Sequence, residues 1–261
     1  MKLMRHLSAI LLTLAAAYGQ APAVVAISHR GEHLRHPENT MPAYRAAVEA
    51  GADFIETDVR TTSDGRLVIM HDGSVDRCTD GHGDVASMTF DEIRKLDAGA
   101  KFGPAFRGTP VPSFEEVLEF AKGKIGVYID AKRISAADLV AAVRRFGLED
   151  HVVVYGGMEL HRGIAKLEPR IKVMPEAGSV ENATRFIDEL RPRVIAFDAR
   201  DFQDAVIGVA RQAKAGIYVD RLGAADKPEF WEDAIQRGAT GIQSDHPAEL
   251  VQFLRVKKLH P

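Results

Sequence analysis

One cysteine, Cys78, and one tryptophan stand in a chain of 261 residues. A lone cysteine excludes an intramolecular disulfide and any metal site built on several thiolates, so stability has to come from a large core. Net charge is also scarce, formally −3 at pH 7. That balance gives no broad basic surface for nucleic acid or an anionic membrane, and any phosphate site has to be local. Long apolar runs are few. The clearest, Leu7 to Ala17, is too short to span a bilayer comfortably. It follows Lys2, Arg5 and His6 and precedes the small-residue stretches Ala17-Tyr18-Gly19 and Ala21-Pro22-Ala23. This is the pattern of a cleaved export signal, and no cysteine follows it to mark a lipoprotein. The expectation is a signal peptide over residues 1–23, a mature chain over 24–261, and a secreted or periplasmic protein with no stable membrane insertion.

The rest has ordinary globular composition, 46% hydrophobic and 27% charged, at a length suited to one large α/β domain. Apolar, β-branched runs occur at Val24–Ser28, Asp53–Val59, Ile125–Ala131, Val152–Tyr155, Ile171–Met174, Val194–Phe197, Gly216–Asp220 and Gly241–Ser244. They lack polar alternation, as strands covered on both faces do. Between them, Phe114-Val117-Leu118-Ala121, Leu139-Val143-Phe146 and Ala205-Val209-Ala213 have helical spacing. Ser113 and Ser135 stand where helix N-caps belong. Strict alternation of this kind predicts a closed (β/α)₈ TIM barrel. An open doubly wound sheet would want a glycine-rich phosphate loop after its first strand, and Ser28-His29-Arg30-Gly31 stands there instead.

A ninth run, Leu67–Met70, follows the second strand too closely for a crossover helix. The turn residues Ser63-Asp64-Gly65 predict a hairpin that sets His71 roughly opposite Asp58. Residues 73–112 then form an insertion or lid over the barrel mouth. Within it, Met88-Phe90-Ile93-Leu96 reads as a small core pattern, and Phe102 and Phe106 as packing residues rather than an apolar rim.

Catalytic groups of such barrels sit at the C-terminal strand ends. Glu56 and Asp58, two residues apart, share one strand face and point inward. Buried carboxylates need neutralising, and Asp130 on the next strand is placed as a third oxygen ligand. The set suits a hard divalent cation, Mg²⁺ or Ca²⁺, better than zinc. A single carboxylate would be read as ion-paired to a neighbouring Lys or Arg; the paired Glu-x-Asp and Asp-x-Lys strand ends favour metal. His29 and His71 flank the cluster and suit acid–base catalysis near neutral pH. Arg30 and Lys132 offer positive charge for phosphoryl oxygens.

His29-Arg30-Gly31 with Pro37-Glu38-Asn39-Thr40, Glu56-Thr57-Asp58-Val59, Thr62-Ser63-Asp64-Gly65 before His71-Asp72, Asp76-Arg77-Cys78-Thr79-Asp80-Gly81 and Gly241-Ile242-Gln243-Ser244-Asp245-His246-Pro247 resemble, in order, the motifs of glycerophosphodiester phosphodiesterases. The resemblance is close to about Gly99 and architectural beyond it. It implies a TIM barrel, a divalent metal, two catalytic histidines and release of glycerol 3-phosphate from a small-molecule diester. By matching position it assigns His29 and His71 to catalysis, Glu56, Asp58 and Asp130 to metal, and Arg30 and Lys132 to phosphate. Glu38 and Asn39 match residues that brace the loop beside Arg30. Asp130 stands where Glu is usual. Tyr218 falls near a tryptophan that covers substrate and is taken as substrate-binding. Asp220 stands where Asn is common, and its extra charge would disfavour an anionic head group. Two alternatives remain: a phospholipase-D-like or sphingomyelinase-D-like enzyme on lipid diesters, and a non-catalytic metal-dependent binding protein, against which both histidines speak.

Overall fold

Strands rich in Val and Ile on both faces can be buried only inside a layer of helices, and that layering organises the chain. The computed structural model describes residues 24–261; the signal peptide expected over 1–23 lies outside the described residues. The strands are β1 (Val25–Ser28), β2 (Phe54–Thr61), β3 (Leu67–Ile69), β4 (Gly126–Arg133), β5 (Val152–Tyr155), β6 (Lys172–Met174), β7 (Val194–Phe197), β8 (Gly216–Asp220) and β9 (Gly241–Ser244). The helices are α1 (Met41–Ala50), α2 (Phe90–Ile93), α3 (Phe114–Ala121), α4 (Ala136–Phe146), α5 (Met158–Leu167), α6 (Val180–Leu190), α7 (Asp204–Gln212), α8 (Pro228–Gln236) and α9 (Pro247–Val256). Eight strands pair in parallel in the order β6-β5-β4-β2-β1-β9-β8-β7, and β3 pairs antiparallel with β2. The ends of the sheet meet where Ala196 N donates to Pro175 O (2.9 Å) and Ala177 N to Ala196 O (2.8 Å). The architecture is the TIM barrel that the alternation predicts. None of the described helices is long and apolar enough to cross a membrane.

Period-two alternation divides each strand between two cores. Outward residues Ile55, Val59, Val127 and Ile129 pack on Phe114, Leu118, Leu139 and Val143. On the opposite side, Ile195, Ile217, Val219 and Ile242 pack on Trp231, Leu250 and Leu254. Inward residues Ile27, Tyr128, Val153, Met174 and Ala196, with Phe54 and Tyr218 against them, fill the barrel as a plug. Ser113 and Ser135 cap α3 and α4 by accepting from Glu116 N and Asp138 N. The buried face of α7 is Val206, Ile207 and Ala210 rather than Ala205, Val209 and Ala213. The larger aliphatic side chains take the core, and Ala205 and Ala213 are left in solvent.

The hairpin forms with its register one residue short of expectation. Thr61 pairs with Leu67, so the turn centres on Asp64, and Met70 N, not His71 N, donates to Asp58 O at 2.9 Å. The Thr62 amide donates to Arg66 O (2.9 Å), closing a tight loop there. The insertion has its own core, in which Val75, Val85, Phe90, Ile93 and Val111 lie under Val68 and Met70 of the hairpin, with Met88 and Leu96 packed against them. Phe106 stacks edge-on between His36 and Phe102, while Phe102 stays 42% exposed.

Candidate active site

Two residues beyond the apolar plug, the inward positions turn polar on most strands. Ile27 is followed by His29, Phe54 by Glu56 and Asp58, and Tyr128 by Asp130 and Lys132. On the other side Ala196 is followed by Asp198, Tyr218 by Asp220 and Gln243 by Asp245. The alternation that builds the barrel therefore delivers a ring of ionisable groups to its C-terminal mouth.

The turn after β1 shapes one wall. Arg30 and Gly31 have left-handed φ of 51° and 77°, which directs the Arg30 amide onto Glu56 Oε2 at 2.7 Å. A Cβ on Gly31 would lie 2.8 Å from the backbone carbon and Cβ of Ala43. Gly31→Ala is therefore expected to cost about 2 kcal/mol or more, read as a lower melting temperature; an unchanged melting temperature would contradict this account of the turn.

Glu56 and Asp58 are 3% and 1% exposed, and with Asp130 each offers an oxygen within 4.8 Å of the others. β2 and β4 set Asp58 and Asp130 side by side in register. Burial, then the charges of Asp58 and Asp130, push Glu56 well above the usual carboxylate range. Burial also raises Asp130, against the pull of Lys132. Lys132 Nζ stands 2.6 Å from Asp130 Oδ2 and 3.3 Å from Asp58 Oδ1. Asn39 Nδ2 donates to Asp58 Oδ2 at 2.7 Å, and the buried Tyr44 hydroxyl donates to Asn39 Oδ1 at 3.0 Å. Glu38 takes Arg77 through two bonds (2.7 and 2.8 Å) and Arg30 NH1 at 3.2 Å. Although burial opposes it, these partners hold Glu38 down to about 2. Arg77 also binds Asp72. With histidines neutral, this linked set of five carboxylates and three cations keeps two negative charges uncompensated. An all-oxygen donor set with that residual charge fits a hard divalent ion.

Each histidine is held through Nδ1 by a carboxylate. His29 Nδ1 is 2.7 Å from Asp245 Oδ1, and His71 Nδ1 is 2.7 Å from Asp72 Oδ1. Burial lowers His29 below its ordinary value, against the hydrogen bond to Asp245 that raises it. Asp245 is itself fixed, its Oδ2 accepting from Gly223 N (3.0 Å) and its amide donating to buried Asp226 (2.5 Å). His33 completes this corner, its ring 5.2 Å edge-on from His29.

The structure brings together His29, Arg30, Glu56, Asp58, His71, Asp130 and Lys132 around the mouth. It does not bring Tyr218 there. Tyr218 pairs with Gly241 at the start of β9, its ring packs on Phe54 at the start of β2, and the charge it feels is that of Asp53. It belongs to the floor of the plug. Asp220, two residues on, takes the mouth position. The role of Asp245 was not read from the sequence, although Gln243-x-Asp245 repeats the inward spacing of Glu56-x-Asp58.

A closed parallel barrel with carboxylates, cations and two histidines at its C-terminal mouth is the scaffold of an α/β-barrel enzyme. Residues 29–155 match the glycerophosphoryl diester phosphodiesterase family. A glycerophosphodiester phosphodiesterase of Caldanaerobacter subterraneus subsp. tengcongensis is 34% identical over 242 residues, covering 88% of this chain and 97% of that protein. The crystal structure of a glycerophosphodiester phosphodiesterase from Agrobacterium tumefaciens superposes with a TM-score of 0.79 at 30% identity, covering 89% and 99% of the two chains. An Oleispira antarctica phosphodiesterase in complex with the product sn-glycerol-3-phosphate shares the fold, with a TM-score of 0.78 at 21% identity over 88% and 96%. The chain belongs to the glycerophosphodiester phosphodiesterase family and is a phosphoric diester hydrolase.

Proposed function

We propose that this enzyme is metal-dependent and releases glycerol 3-phosphate and an alcohol from glycerophosphodiesters, with Glu56, Asp58 and Asp130 as ligands to Mg²⁺ or Ca²⁺. The observation that carries the reading is the convergence of three inward carboxylates within 4.8 Å, between Arg30 and Lys132 and beside two carboxylate-held histidines. The bound ion would supply positive charge to the phosphoryl oxygens. Arg30 and Lys132 would bind the same oxygens and orient the diester. Nδ1–H donation to Asp245 gives His29 a free Nε2 lone pair aimed away from that partner, and Nδ1–H donation to Asp72 holds the His71 ring in the same way, leaving its Nε2 to carry the proton it delivers as an acid.

His29, whose neutral form burial favours, takes the proton from the glycerol 2-hydroxyl, whose oxygen attacks phosphorus. The bond to the alcohol oxygen breaks, and His71 gives that oxygen a proton. The adjacent hydroxyl is already held close, which favours this internal attack. Water then opens the five-membered cyclic phosphate with the two roles exchanged. A 2-deoxy analogue is the test: no cleavage, together with a cyclic intermediate seen by phosphorus NMR on the natural diester, is expected. Cleavage of the analogue at an undiminished rate would rule the cyclic route out in favour of direct attack by water.

One observation supports a second reading, action on lipid diesters. Leu34 and Phe102 are 48% and 42% exposed, and Phe102 lines a groove of about 160 Å³ with His33, Glu38, Arg77 and Lys101. A higher kcat/KM on a lysophospholipid than on its deacylated diester would favour that reading.

A further inference from the structure

The mouth is chemically two-sided. Arg30 and Lys132 lie on the side of β1, β2 and β4. On the side of β5 to β8 the inward groups are Tyr155, Glu176, Asp198 and Asp220. Among the described residues, the Asp220 carboxylate has no cation partner, and its one hydrogen bond is from Gln243 Nε2 at 2.7 Å. Gln243 is 5% exposed and its Oε1 has no donor. Glu176 accepts from the Tyr155 hydroxyl at 2.7 Å; its nearest cation is Arg200, 3.9 Å away and 86% exposed. Asp198 is already engaged by Arg200, and Asp201 is taken up by the amides of Gly178 and Asp198. The unmet negative charge is therefore that of Asp220 and, in part, Glu176. Tyr155 stands in register with Asp130, so its ring borders the carboxylate cluster.

We propose that Asp220, with Glu176 and the Tyr155 ring, forms the subsite for the alcohol and selects diesters whose alcohol is cationic, of the choline or ethanolamine class. This rests on the glycerophosphodiester reading of the site. The substrate phosphate and its ammonium group carry opposite charges across a short ethylene spacer, and the mouth presents complementary charge on its two sides. A quaternary ammonium is held by carboxylate charge and an aromatic face; a primary ammonium would also donate to Gln243 Oε1. The state of Asp220 agrees. Burial foremost, with the charges of Asp130, Asp198 and Glu176, pushes it up to about 7 against the bond from Gln243. A ligand cation would supply the missing compensation.

The test compares kcat/KM for glycerophosphocholine and glycerophosphoethanolamine with that for glycerophosphoinositol and glycerophosphoglycerol. The wild type is expected to favour the cationic pair by about tenfold or more. Asp220→Asn, close in shape and able to keep the contact with Gln243, should bring the ratio near one. Glu176→Gln, at a more exposed position, should move it the same way by less. Equal kcat/KM on charged and neutral diesters in the wild type, or a preference that survives Asp220→Asn, overturns the proposal. Failure to cleave any of the four diesters overturns the glycerophosphodiester reading itself and this inference with it.

Discussion

Replacing Glu56 by Gln is expected to lower kcat/KM by on the order of 10³, with a matching loss of divalent-ion affinity. The side chain is almost fully buried, its Oε2 is positioned by the Arg30 amide, and its carboxylate is raised by burial and by two neighbouring acids. Such an arrangement is unfavourable for the free protein and becomes favourable when a divalent ion neutralises it. Glutamine keeps the shape and the acceptor for Arg30 and removes one charge. The predicted signature is therefore weak ion binding with an intact fold, and a melting temperature in the absence of ions at or above that of the wild type. Isothermal titration with Mg²⁺ and Ca²⁺, beside kinetics at saturating ion, would read it. Wild-type affinity and turnover in Glu56→Gln would contradict the assignment.

The second large effect concerns the histidines. His29→Ala and His71→Ala are each expected to lower turnover by on the order of 10² to 10⁴, with KM changed less. The two should differ in pH dependence. Burial lowers His29 below its ordinary value, and the hydrogen bond from His29 to Asp245 raises it part of the way back. As a base His29 must be neutral, so activity rises with pH through its titration, and the acid limb of kcat/KM should lie below about 6.5. Asp245→Asn removes a negative charge that favours the protonated ring. The acid limb should then move to lower pH while kcat falls through looser positioning of the ring. A limb that moves to higher pH would show that His29 is not the group titrating.

Much of this was legible in the sequence because one periodicity does two jobs. Unbroken apolar runs marked the buried strands, and the same alternation put Glu56, Asp58, Asp130 and Lys132 on the inward face at strand ends. Where spacing and turn signals stand alone, they fall slightly short. The spacing Ala205-Val209-Ala213 points to one face of α7, and packing selects the neighbouring face with the bulkier Val206 and Ile207. The hairpin was centred half a residue too late, since the turn from Thr62 to Arg66 is five residues long. The family resemblance puts Tyr218 near a tryptophan that covers substrate, but strand depth, which a local pattern does not encode, sets Tyr218 at the floor and Asp220 at the rim. Asp245 became visible as the partner of His29 only when β9 closed against β1, since the two residues lie 216 apart in sequence.

The central claim is that turnover of a glycerophosphodiester depends on a divalent ion held at Glu56, Asp58 and Asp130. The most direct measurement is release of glycerol 3-phosphate from glycerophosphocholine and glycerophosphoinositol by chelator-treated, desalted enzyme, before and after Mg²⁺ or Ca²⁺ is returned. The account predicts no release from the ion-free enzyme and restored release when either ion, or one of the two, is added. Undiminished release from enzyme shown by elemental analysis to be free of metal would contradict it.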